Sequence, residues 1–206
     1  MLLPMQTPPR VRGRAARSRR HPLAATRLLV PFAVLLVLGG GATQAAAAPA
    51  GEASAAGRVI KPMDELEVQV LARINDVRRE QGVRELRVNP LLADAAIQHS
   101  LSMAEHGLFQ HASADGSPWW KRDMAVYPKG KYRFWSVGEN MAYASPGMTA
   151  RQAIELWLAS PRHRANLLSP AWREVGLGAV RAVPGSGVYE GLNVTIVTVD
   201  FGVRHS

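Results

Sequence analysis

Three side chains, far apart in the chain, carry the chemistry this sequence offers. They are His111 in GLFQHAS, Glu139 in VGENMAY and His163 in SPRHRANLLSP. The chain has 6 histidines, so each can be weighed. His21 lies near the N-terminus and His205 beside the C-terminus. His99 and His106 stand seven apart in a helix-like stretch and read as polar surface or boundary positions. One carboxylate and two imidazoles make a sensible zinc ligand set, with a fourth position open for water. Without metal, the same groups could donate and accept protons near neutral pH. A third role for His163 is structural, tying its segment to the fold through hydrogen bonds. Gly138 and Asn140 flank Glu139, and a glycine tolerates the bend that turns a carboxylate inward.

Helices and a hairpin must position these groups. Leu66, Val70, Ile74 and Val77 recur at helical spacing between Met63 and Glu80, with Gly82 closing the run. Asn89-Pro90 is a cap followed by a first-turn proline, starting a second helix that Gly107 stops. Leu92, Ala96, Ser100 and Met103 face its core side. Ser113 to Ser136 reads as a long, partly packed loop rich in aromatics. A third helix fits Thr149 to Ala159, capped by Thr149 or Ser145, with Ile154, Trp157 and Leu158 inward. Pro161 then ends it and a turn presents His163. Val175–Val183 and Tyr189–Gly202 are rich in β-branched residues and flank the turn Pro184–Gly187, a hairpin pattern. Helices ahead of a terminal hairpin give an α+β domain with helices packed on a small antiparallel sheet.

The formal charge of +9 resembles a nucleic-acid signal, but seven arginines and no acid fall within residues 1–50. The remainder holds 18 basic and 16 acidic side chains, so attraction to phosphate backbones loses its support and no nucleic-acid partner is expected. Residues 1–50 read as an export signal: a basic start, the apolar run Leu28–Leu38, then GGGATQAAAAPA with plausible cleavage after Ala45, Ala47 or Ala50. The apolar run is short of the roughly 20 residues of a spanning helix, although an uncleaved anchor stays open. SRRHPL is a weak twin-arginine pattern, and an ordinary basic leader is favoured. Residues 51–61 read as a linker and 62–206 as the folded domain. The expected location is secreted or extracytoplasmic. With 0 cysteines, disulfides, thiolate metal sites and cysteine nucleophiles are all excluded.

Five patterns occur in one order: INDVRREQGVRELRVNPLLADAA, FQHAS, VGENMAY, IELWLASPRHRANLL, then EVGLGAV with a terminal VTVDFG. Together, over about Met63 to Gly202, they resemble the CAP superfamily, or SCP domain. It includes cysteine-rich secretory proteins, venom allergens and plant pathogenesis-related proteins, and the cysteine-free bacterial branch is the nearest likeness. The resemblance implies an α-β-α sandwich with a three-stranded antiparallel sheet, its third strand lying before or around Glu139. It also implies a cleft lined by two histidines and two glutamates. His111, Glu139 and His163 match three of these and are the implied metal ligands, for zinc or another divalent cation. The second glutamate has no clear match: Ser160 stands near its place, and Glu155 lies two residues before Trp157.

Three functions follow. The first is a secreted binding module for a divalent metal, a small molecule or a lipid. The second is a zinc-dependent hydrolase or peptidase using the same cleft, weakened by the missing carboxylate. The third is an envelope-associated structural or interaction protein. Thr195 in Asn193-Val194-Thr195 reads as a strand residue rather than part of a glycosylation site. Trp119-Trp120 and Tyr132–Trp135 read as aromatics packing a loop onto its own domain. Arg78-Arg79 reads as the solvated face of the first helix.

Overall fold

The computed structural model describes residues 59–206. The expected leader, at residues 1–50, lies outside them. The elements run β1 (Val59–Pro62), α1 (Asp64–Glu80), β2 (Arg87–Val88), α2 (Pro90–His106), α3 (Trp119–Val126), β3 (Phe134–Ala144), α4 (Ala150–Ala159), α5 (Pro161–Leu167), β4 (Glu174–Val183) and β5 (Val194–His205). A 3-10 turn at Gly187–Tyr189 lies within the β4–β5 connection.

The sheet has the order β1-β4-β5-β3, with the two-residue β2 added parallel to β4. Its centre is the antiparallel trio β4-β5-β3, so the expected three strands are present and two short ones extend them. β1 begins inside the stretch expected to be linker and pairs with β4 from Val59 to Pro62. Its hydrogen bonds, not its composition, make it a strand.

Helices cover both faces. α1 and α4 pack on one face around Trp157, Val175, Val197, Val199 and Phe201. α2 lies on the other over Met141, Val180 and Ile196, with Met103 inward. Contact on that side is backbone to backbone. A Cβ on Gly176 would stand 2.0 Å from the Leu92 carbonyl carbon, and one on Gly178 would stand 2.2 Å from the Ile97 nitrogen. GLG in β4 is therefore what lets α2 sit close to the sheet.

The ends of α2 behave as the sequence predicts: the Asn89 side chain accepts from the Leu91 N–H and Gly107 ends the helix in the left-handed region. On α4, Thr149 with Gln152 forms a capping box.

Three local expectations are corrected. The stretch from Ser113 to Ser136 contains the helix α3 and the start of β3; tertiary packing orders a segment whose sequence is rich in turn formers. Pro161 does end α4, but it also starts α5 as that helix's first residue, so His163 sits on a helix and not in a turn. Arg78 is fully buried, while Arg79 is exposed between Asp76 and Glu85. Arg78 continues the four-residue stripe Leu66–Val70–Ile74 and donates to the carbonyls of Arg84, Leu167 and Ser169. Desolvation is the main cause that lowers its pKa, to about 10, followed by the nearby charge of Arg173, and the side chain stays charged at neutral pH.

Candidate functional site

β3 is an edge strand, and two of its outer carbonyls are bonded by side chains from α4 and α5. Trp157 Nε1 donates to the Met141 carbonyl at 3.0 Å, and Asn166 Nδ2 to the Glu139 carbonyl at 3.1 Å. Side chains from α4 and α5 thereby cover the edge, which blunts pairing with another chain. The same bonds place α5. Asn140 Nδ2 donates to the His163 carbonyl at 2.9 Å, and Asn166 reaches Asn140 Oδ1 at 3.1 Å. From the far side, Arg78 holds the carbonyl of Leu167 at 2.7 Å.

Glu139 occupies the opposite pleat of β3 from Asn140. Its carboxylate is 1 % exposed. His111 Nδ1 stands 2.5 Å from Glu139 Oε1, and the Arg122 guanidinium donates to Oε2. A carboxylate only accepts, so His111 Nδ1 carries the proton and, in the neutral ring, Nε2 carries the lone pair. The His111 side chain is 49 % exposed, and its Nε2 has no hydrogen-bond partner among the described residues. Arg122 also donates to Ser113 Oγ at 3.3 Å, linking α3 to the segment just after His111.

His99 sits behind this pair. It is buried, not a surface residue of α2, and its Nε2–H donates to the Gln110 carbonyl at 3.0 Å. That bond anchors the backbone immediately before His111. Desolvation is the largest cause that lowers the His99 pKa, to about 4, partly opposed by Glu139 3.9 Å away. The ring is therefore neutral at pH 7. His163 is half-buried; burial and then the nearby His111 lower its pKa.

The remaining candidates fall elsewhere. Glu155 lies on the exposed side of α4, 2.8 Å from Arg151, and does not supply a second carboxylate. Ser160 joins α4 to α5 and its side chain caps neither helix. Among the described residues, no three His, Asp or Glu side chains are placed to hold one metal ion. Both Glu139 oxygens are engaged, Oε1 by His111 and Oε2 by Arg122.

Arg122, His99, Asp123 and Asp200 are the neighbours that sequence reading missed. His99 was legible: Leu92, Ala96, His99 and Met103 follow a 4-3-4 helical spacing. Arg122 and Asp123 lie in a stretch without apolar periodicity, and nothing in it marks them.

Residues 71–201 match the family model described as CAP, the cysteine-rich secretory protein family. The chain is 30% identical to the Bacillus subtilis protein YkwD over 117 residues, covering 56% of this chain and 43% of that one. It is 32% identical to the Bacillus subtilis membrane protein YlbC over 115 residues, covering 56% and 32%. The chain thus spans less than half the length of these curated relatives. An extracellular SCP-domain protein of Bacillus anthracis superposes with a TM-score of 0.52 at 24% identity, over 69% of this chain and 41% of that one. An outer surface protein of Borrelia burgdorferi gives 0.54 at 17%, over 71% and 99%. These two likenesses concern the fold.

Proposed function

Since this chain belongs to the cysteine-rich secretory protein (CAP) family, we propose that it works outside the cytoplasm as a binding module. Its cleft takes a divalent cation or a small polar ligand between His111 and His163. The location is supported by the basic, apolar and small-residue succession of residues 1–50 and by the extracellular SCP-domain neighbour. Among the described residues, no helix is long and apolar enough to cross a membrane.

The observation that carries the reading is the state of His111. Its Nδ1–H is committed to a buried carboxylate, its Nε2 has no partner among the described residues and its ring is half exposed. A carboxylate behind an imidazole fixes its tautomer and ring orientation. A divalent cation would be held by His111 Nε2 and the His163 ring, with Glu139 orienting His111 from behind. Two imidazoles are fewer protein ligands than the three of catalytic zinc sites, which favours binding over hydrolysis. Both Glu139 oxygens are engaged, one by His111 and one by Arg122, so Glu139 is suited to holding a ring rather than activating water.

Zinc titration calorimetry on the metal-stripped protein tests this, with His111→Ala and His163→Ala beside the parent. One-to-one binding in the micromolar range or tighter, weakened at least about tenfold in each variant, is expected. A well-folded parent that takes up no zinc would sink the cation reading and turn the search to uncharged ligands of the same cleft.

A further inference from the structure

The stretch PKGKYRF, residues 128–134, runs from α3 into β3 and is exposed at every position. Along it Lys129, Lys131 and Arg133 alternate with Gly130, Tyr132 and Phe134. Tyr132 is 38% exposed and Phe134 45%. These two rings therefore do not pack inward as the sequence reading expects. Trp135 does: it is half-buried, and its Nε1–H donates to the Tyr127 carbonyl at 2.7 Å.

Contacts on several sides hold this loop. The Tyr132 N–H donates to the Lys129 carbonyl at 3.1 Å, across a turn in which Gly130 has a φ of 51°. From β5, the Arg204 guanidinium lies 3.8 Å from the ring centroid of Tyr127 and 5.1 Å from that of Tyr132. His205 stacks on Phe134, with ring centroids 5.0 Å apart. Arg204 thus joins the three cations of the loop. The sequence places no acidic side chain between Asp123 and Glu139, and none after Asp200. Among the described residues, no salt bridge reaches Lys129, Lys131, Arg133 or Arg204. Glu174, which accepts from the Tyr127 hydroxyl, also accepts from Asn89.

We propose that this loop is the surface by which the folded domain rests on an anionic phospholipid bilayer. A bilayer interface rewards both kinds of side chain found here. Each lysine or arginine near an anionic surface strengthens attachment about fivefold. Exposed tyrosine and phenylalanine rings leave water at the level of the head groups. The alternation of cations with rings on one exposed stretch supplies the two effects together. A protein partner fits less well, because lysine is depleted from the cores of protein interfaces. A nucleic acid fits less well because residues 51–206 are close to charge balance. The proposal takes from the functional reading only the place of work outside the cytoplasm, and nothing from the metal cleft.

The test is nuclear magnetic resonance of the purified full chain with lipid nanodiscs carrying a spin label at the head groups. One set of discs is an equal mixture of phosphatidylglycerol and phosphatidylcholine, and the other is phosphatidylcholine alone. The backbone amide signals of residues 129–134 should lose most of their intensity with the anionic discs and little with the neutral ones. Salt at about 1 M should restore them, because it screens the charges. The readout is local to the loop, so attachment through the basic leader does not mimic it. The triple variant Lys129→Gln, Lys131→Gln, Arg133→Gln changes exposed side chains only. It should bind the anionic discs about a hundredfold more weakly and keep its loop signals. Loop signals that survive the anionic discs in the parent overturn the proposal, as does equal loss in the triple variant. Loop signals that shift with soluble polyphosphate but survive the discs also overturn it, in favour of a polyanion site. No zinc is used, so failure of the cleft reading appears separately, in the calorimetry.

Discussion

Glu139 and His111 touch, yet they serve different ends. Glu139 is buried and neutralises Arg122, whose side chain is 13 % exposed. Removing one partner of a buried ion pair leaves the other charge stranded, at a cost of about 3–5 kcal/mol. His111 is half exposed and gives up one hydrogen bond when truncated, worth about 1 kcal/mol. Glu139→Gln should therefore lower stability in urea by about 3 kcal/mol or more, and His111→Ala by about 1 kcal/mol. Equal losses in the two variants would make His111 a structural residue and count against the proposed binding role.

α2 and α5 bring the two histidines to the same edge of the sheet by different means. α5 is held by side-chain bonds from Asn140, Asn166 and Arg78 to backbone or amide oxygens. α2 is held by close backbone approach over Gly176 and Gly178, plus Ser100 Oγ donating to the Gly178 carbonyl and reaching Thr198. A methyl group at Gly178 has nowhere to go, because the atoms it meets are backbone. Gly178→Ala should cost about 1–3 kcal/mol by forcing α2 off the sheet, and should weaken the proposed zinc binding because the loop carrying His111 follows α2. Gly147→Ala, where an added Cβ meets only Thr195 Oγ1 at 3.7 Å, should stay within about 0.5 kcal/mol of the parent. Denaturant curves for the two alanine variants check this. Similar midpoints would mean that α2 rides on the sheet more loosely than the backbone contacts indicate.

Stability of the folded domain should depend on pH in two opposed ways. His99 has a folded pKa lowered to about 4. The unfolded chain binds the extra proton first, so this contribution is full above the ordinary histidine value and is lost as pH falls toward 4. Asp123 and Asp200 both have raised folded values, chiefly through desolvation. Their contribution is full below the ordinary aspartate value and is lost as pH rises through about 7. The slopes oppose each other between about pH 4 and 6.5, and only the decline remains above that. Unfolding free energy measured from pH 5 to 8 should fall on the alkaline side in the parent and be flatter there in Asp200→Asn. Parallel curves would contradict the assignment.

The sequence by itself determined the family, the order of the main helices and the presence of a strand-rich end. Those follow from local rules: the apolar stripe of α1, the Asn89-Pro90 start and Gly107 stop of α2, and the β-branched runs of β4 and β5. It also singled out His111, Glu139 and His163 as the chemically capable residues, through motifs whose order is fixed along the chain. Tertiary structure alone decided what those residues touch. Arg122 reaches Glu139 from 17 positions away and Arg78 reaches Leu167 from 89, and no local periodicity encodes either contact. α3 was hidden because its helix is stabilised by what it packs against and not by an apolar stripe. β1 is a strand because β4 offers it a partner. Burial, which sets the charge of His99, Asp123 and Asp200, exists only once the chain has closed around them.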